Sequence, residues 1–246
     1  MQFTKSILLL AALTTSTFAL PTTVERRQDS SWLSVPSSGS YSTSGFGSAT
    51  SATGSGNTYA GNVGSPYGSN IIEVSASDAS QYKYVMEIQA PSTDSYTVAV
   101  WNKYGPDGRM DGWYGNACKT LTVPAGSSVY LAFDEDTDGG FAAAPGSIPT
   151  DSNGGYASTW GEFDFGSSAN NAWSGFDVSA IAAQNAGLTV QGMKICDALG
   201  GTCSSITPGA AVVDNAYTAA ETAIGGIGGN LGAGPVRLVA TLGYSG

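Results

Sequence analysis

The chain has 246 residues, with nineteen acidic against nine basic side chains, no histidine and a formal net charge of −10. Without imidazole, Ser-His-Asp and Cys-His nucleophilic machinery, histidine-ligated zinc and imidazole acid–base catalysis are all excluded. Any catalysis must use carboxylates, tyrosine, lysine or an oxygen-ligated metal.

The chain starts with a short basic stretch (Met1–Lys5), then the apolar run Ile7–Leu13 and the small-residue site Thr17-Phe18-Ala19. This run is too short to cross a bilayer, so residues 1–19 are expected to be a cleaved signal peptide and the protein to be secreted and extracellular. No later segment approaches a membrane-spanning length, and the C-terminus lacks a lipid-anchor tail. Residues 20–27 read as a propeptide ending in Glu25-Arg26-Arg27, a dibasic processing site. Trimming removes Lys5, Arg26 and Arg27 from the nine bases and Glu25 from the nineteen acids, which leaves a net charge of −12. Such a chain repels phosphate backbones and anionic lipid, so no nucleic acid and no membrane surface is expected as a partner. Neutral glycans and cationic surfaces remain open.

Residues 28–58 are rich in Ser, Thr, Gly and Ala. So little apolar surface does not offset the entropy of ordering, and a flexible arm is expected, with hydroxyls suited to O-glycosylation. From Tyr59 onward, short alternating runs lie between Gly, Pro, Asp and Asn turns. The expected strands are Tyr82–Gln89, Tyr96–Trp101, Leu121–Val123, Ser128–Phe133, Trp160–Phe165, Leu188–Ile195 and Val236–Leu242. They are β-branched or aromatic with a period near two. One helix is expected near the C-terminus, with Asp214 capping Asn215–Ile224 and Gly225-Gly226 ending it. Gly225–Gly234 reads as a pliable loop and not a phosphate cradle, since it neither follows a strand nor opens a helix. These features predict an all-β domain over residues 59–246, a monomeric two-sheet antiparallel β-sandwich.

Three cysteines are present. Cys196 and Cys203, separated by a glycine-bearing reversal, are expected to pair, and Cys118 to be a buried small apolar side chain. The run Asp134-Glu135-Asp136-Thr137-Asp138-Gly139 opens like a calcium loop, with oxygen donors at alternate positions. Its twelfth position is Pro145, where a bidentate glutamate belongs. The reading is a solvated acidic strand end and no cofactor. A weak calcium site through Asp134, Asp136 and Asp138, completed by Asp151 or backbone carbonyls, is the alternative.

In WGEFDF the period of two places Glu162 and Asp164 on one face, opposite Phe163 and Phe165. With Asp177 they form candidate catalytic carboxylates, since glycoside hydrolysis needs one protonated and one ionised acid. Trp101, Trp113, Tyr114, Trp160 and Trp173 are candidates for stacking on sugar rings, several of them beside glycine. Trp113-Tyr114, enclosed by Asp and Gly in DGWYGN, is the strongest candidate for exposure.

The peptides GNVGSPYGSNIIEV, VWNKYGPDG, DGWYGN, TWGEFDFG, WSGFDVSAI and VQGMKIC resemble, in order and spacing, the secreted fungal family typified by Aspergillus fumigatus allergen four. The resemblance covers about Tyr59 to Gly246. It implies a secreted, IgE-reactive, wall-associated fungal protein with no established catalysis, and Cys196 and Cys203 match the family's cysteine pair. A second family pair would fall at Ser42 and Ser158, both serine here, which implies a looser N-terminal arm. A fainter resemblance to thaumatin-like proteins (YTV-W-N, then a PAG turn, GEF and FDVS) implies a similar sandwich in which Glu162 and Asp177 face an acidic cleft. The leading functional expectation is therefore a non-catalytic protein associated with cell-wall or host glycans. The alternatives are a carboxylate-dependent β-1,3-glucan hydrolase and a secreted effector that binds a host protein.

Overall fold

Alternating apolar side chains can be buried only if strands pair into sheets and the sheets face each other. In the computed structural model, which describes residues 30–246, they do so as two layers. The expected signal segment 1–19 and propeptide 20–27 lie outside the described residues. The thirteen strands run β1 (Ile71–Val74), β2 (Tyr84–Gln89), β3 (Tyr96–Asn102), β4 (Lys119–Val123), β5 (Ser128–Phe133), β6 (Thr137–Pro145) and β7 (Trp160–Ser167). They continue with β8 (Trp173–Ser179), β9 (Met193–Asp197), β10 (Cys203–Ile206), β11 (Val213–Asp214), β12 (Gly229–Leu231) and β13 (Val236–Leu242). One sheet has the order β1-β5-β2-β13-β9-β10-β11, the other β12-β8-β7-β6-β3-β4. Two short helices, α1 (Ala76–Ala79) and α2 (Ile181–Asn185), sit in connections.

The core lies between the layers. Tyr84, Met86 and Ile88 of β2 face Val98 and Val100 of β3 and Phe163 and Phe165 of β7 in one buried cluster. Phe133 meets Phe163 and Phe165 at centroid distances of 4.8 and 4.6 Å. Each fully buried ring of this kind contributes about 1.5–3 kcal/mol. Because Phe163 and Phe165 turn inward, Glu162 and Asp164 are left on the outer face of the six-stranded sheet. The Cys196–Cys203 disulfide forms between paired residues of β9 and β10. Cys118 is free and half-buried against the core, and burial pushes its thiol pKa up.

Four expectations need correction. The sandwich is not wholly antiparallel, because β13 pairs in parallel with β2 while pairing antiparallel with β9. The last strand is thus inserted into the middle of a sheet that earlier strands had begun. The helix expected over Asn215–Ile224 does not form. Asn215 takes a left-handed backbone (φ 49°), and its side-chain amide donates to the carbonyls of Cys203 and Gly228. Tyr217 then bridges to Ser179, and only a 3-10 turn, Ala219–Glu221, remains. The Asx side chain and the bridge satisfy backbone groups that a helix would otherwise satisfy. Within the glycine-rich loop, Gly229–Leu231 forms an edge strand on β8.

The fourth correction concerns the arm. Its described part is laid against the outer face of the seven-stranded sheet, where Trp32 (2 % exposed) packs with Ala79, Tyr82, Val85 and Ala132. Arg237, on β13, is wholly buried and holds it there. Its guanidinium donates to the carbonyls of Trp32, Ser34, Ser80, Tyr82, Lys83 and Val236. Desolvation lowers its pKa to about 10. A single buried cation thereby anchors a segment whose composition predicts no order.

Candidate functional site

Sheet register assembles the site. On the outer face of the six-stranded sheet, Trp101, Gly140, Glu162 and Asp177 stand opposite one another across β3, β6, β7 and β8. The neighbouring row runs Asp138, Asp164, Gly175 and Asn230 across β6, β7, β8 and β12. At about 4.8 Å per strand, each row spans about 14 Å. Lys103 closes one end, its Nζ lying 3.1 Å from Asp138 Oδ2. Glycine keeps the floor low. A Cβ on Gly140 would lie 3.2 Å from the Trp101 ring, and Gly175 leaves open the space between Asp164 and Asn230.

These residues line a cleft of about 460 Å³. Its walls include Met110 and Trp113 from the loop after β3, Trp160 from β7, and Tyr217 and Ile227 from the segment that was expected to be helical and flexible. The rings are in contact. Trp101 stacks on Tyr156 at 5.3 Å and meets Trp160 edge-on at 5.1 Å, while Trp113 lies 5.9 Å from Trp160 and 5.5 Å from Tyr114.

Electrostatically, four carboxyl groups face one lysine. Burial, then the Asp138 charge, raises the Glu162 pKa to about 7 against the pull of Lys103. Asp164 rises to about 7 for the same two reasons. Burial, then Glu162, pushes Asp177 well above its ordinary value. Burial also raises Asp138, although Lys103 beside it opposes the shift. Among the described residues, Asp164 Oδ1 and Asp177 Oδ1 are buried with no hydrogen-bond partner. Glu162 and Asp177 are direct cross-strand partners, so their Cβ atoms are about 4.5–5.5 Å apart. Near neutral pH such a pair holds a proton that one member can give while the other accepts.

The structure therefore brings Glu162, Asp164 and Asp177 together with Trp101, Trp113 and Trp160. Trp101 is only 2 % exposed, so it buttresses the wall and offers no open face, contrary to expectation. Trp173, although 45 % exposed, lines neither this cleft nor its neighbour. The three aspartates of the expected calcium site turn to separate partners. Asp134 accepts from Asn62, Asp136 accepts from Tyr59 and Ser168, and Asp138 turns to Lys103. Among the described residues no group of three or more acidic, Cys or His side chains is placed to hold a metal ion.

Sequence reasoning missed Lys103, Tyr217 and Asn230, and it placed Asp138 in the wrong constellation. The Thr137–Pro145 strand carries no period-two signal, since Gly140 to Ala144 are all buried, and its acidic, glycine-rich start reads as a turn.

Comparison with known proteins places the chain. Residues 69–242 match the model of the Allergen Asp f 4-like domain. Allergen Asp f 4 of Aspergillus fumigatus is 52% identical over 214 residues, covering 87% of this chain and 66% of its own length, so the chain spans slightly under two thirds of that relative. Among solved structures, the protein elicitor MoHrip2 from Magnaporthe oryzae aligns at 13% identity with a TM-score of 0.39, over 65% of this chain and 99% of that one. With a family model that matches most of its length and a relative more than half identical, the chain belongs to the Asp f 4-like allergen family.

Proposed function

We propose that this is an extracellular protein associated with cell-wall or host glycans, and that it binds carbohydrate in the cleft of the six-stranded sheet. The observation that carries this reading is the convergence of Glu162, Asp164 and Asp177 with Trp113 and Trp160 around one cavity. Carboxyl groups with unfilled acceptor capacity suit sugar hydroxyls, which donate, and indole faces suit the apolar faces of sugar rings. Binding of IgE is proposed from the family alone. The test is retention of the chain from Gln28 onward on insoluble β-1,3-glucan and chitin, compared with Trp113→Ala and Trp160→Ala. Loss of retention on either substitution supports the reading. No retention of the unsubstituted protein on any glycan refutes it.

A second reading, a carboxylate-dependent β-1,3-glucan hydrolase, is favoured by the register of Glu162 with Asp177. Side chains that start from directly opposite positions on neighbouring strands can bring two carboxyl groups to the close separation that retaining glycosidases use. One member would protonate the leaving oxygen while the other, ionised, attacks or stabilises the anomeric carbon. Release of reducing ends that disappears in Glu162→Gln supports this reading. Binding without any release leaves the protein a lectin-like binder.

A further inference from the structure

We infer that the acidic cleft is one half of a longer groove that takes an unbranched oligosaccharide lying across the Trp113–Trp160 pair. This inference rests on the glycan-binding reading above. A second cavity of about 610 Å³ adjoins the cleft and shares Trp113, Trp160 and Glu162 with it. Each cavity alone is the size of a small-molecule site of about 300–1,000 Å³, and the two together exceed it. A single sugar ring would leave most of that space filled with water.

The chemistry changes from one half to the other. In the first, carboxyl groups crowd around one lysine. In the second, the polar lining is largely neutral and includes Asn153, Ser179 and Asn185. Besides the shared Glu162, which lies at the junction of the two halves, its carboxylate is Asp151, whose Oδ1 accepts from the backbone N–H of Asn153 and Gly155. Neutral amides and hydroxyls pair with hydroxyls and have no preference for charge. The feature common to both halves is ring faces. Backed by the buried Trp101, the contacts Trp160–Trp113 and Trp113–Tyr114 run without a break from the acidic half into the neutral one, where Tyr114 is 42% exposed. A ligand that presents apolar faces and hydroxyls at each repeat fits such a surface, and a linear glycan does so along its whole length.

The experiment is calorimetric titration of the protein with β-1,3-gluco-, β-1,4-gluco- and chito-oligosaccharides of two to six units. In at least one series, affinity is expected to rise about tenfold or more between the dimer and the hexamer as the second half fills. Tyr114→Ala, which removes an exposed ring outside the buried core, is expected to weaken hexamer binding about 2- to 10-fold and to leave the dimer unaffected. Asn185→Ala should show the same length dependence. A dimer that binds as tightly as the hexamer overturns the groove and leaves the glycan-binding reading standing. So do variants that weaken every length equally. Failure of all three series to bind overturns both.

Discussion

Replacing Glu162 with Gln should make the fold less sensitive to rising pH. In the folded chain, burial and the neighbouring Asp138 hold the Glu162 carboxyl protonated up to about pH 7, against an ordinary value of 4.5. Between those two values the folded chain binds more protons at this site than the unfolded chain. The resulting contribution to stability is full below about pH 4.5, falls as pH rises to about 7, and does not change further above that. The difference corresponds to about 3 kcal/mol between the two protonation states. Water at the open mouth of the cleft screens part of it, so about 1–3 kcal/mol is expected to reach the measurement. Asp164 and Asp177 are shifted in the same direction, so the unsubstituted protein should be more stable near pH 4.5 than near pH 8. Gln preserves the shape, removes one titrating group and takes away the like charge that helps to raise Asp177. The variant should therefore lose about 1–3 kcal/mol less across that range. Urea unfolding followed by tryptophan fluorescence at about pH 4.5, 6 and 8 measures it. Equal stability of the unsubstituted protein at both ends, or an unchanged pH slope in Glu162→Gln, would refute the reasoning.

Arg237→Met should cost about 4 kcal/mol or more, because it leaves the carbonyls of Trp32, Ser34 and Tyr82 without their guanidinium donor, while that of Lys83 keeps the backbone N–H of Val236. The urea midpoint reads the loss, and protease cleavage within residues 30–58 should appear well below that midpoint. A midpoint like that of the unsubstituted protein would show that the arm is held by Trp32 packing alone. Replacing both Cys196 and Cys203 with Ser opens a short loop, with a sequence separation of 7. It should cost about 2–3 kcal/mol on the chain-entropy argument, visible as a lower melting temperature under non-reducing conditions. With Asp134, Asp136 and Asp138 turned to different partners, neither excess calcium nor a chelator should move the melting temperature; a rise with calcium would restore the metal reading.

Much of the architecture was legible one strand at a time. Ser128–Phe133 and Val236–Leu242 form where alternation placed them, and WGEFDF turns its rings inward and its acids outward as a period of two requires. Cys196 and Cys203 also pair, because a glycine-bearing reversal sets β9 beside β10. Segments whose conformation depends on distant partners were misread. Asn215–Ile224 carries helix-compatible residues, yet Asn215 crosslinks to Cys203 and Gly228 instead. Ser30–Thr58 has the composition of a disordered tail, yet a buried guanidinium some two hundred residues away holds its start in place.

The sequence by itself determined the sandwich class, the exclusion of imidazole chemistry, the shared face of Glu162 and Asp164, and the family, because these depend on composition, local period or contiguous peptides. Only the tertiary structure set Asp177 opposite Glu162, moved Asp138 from an acidic turn into the cleft, buried Trp101 and turned Trp173 away. Each of those outcomes is a register between strands far apart in the chain, and register is set by how whole sheets bury their inner faces.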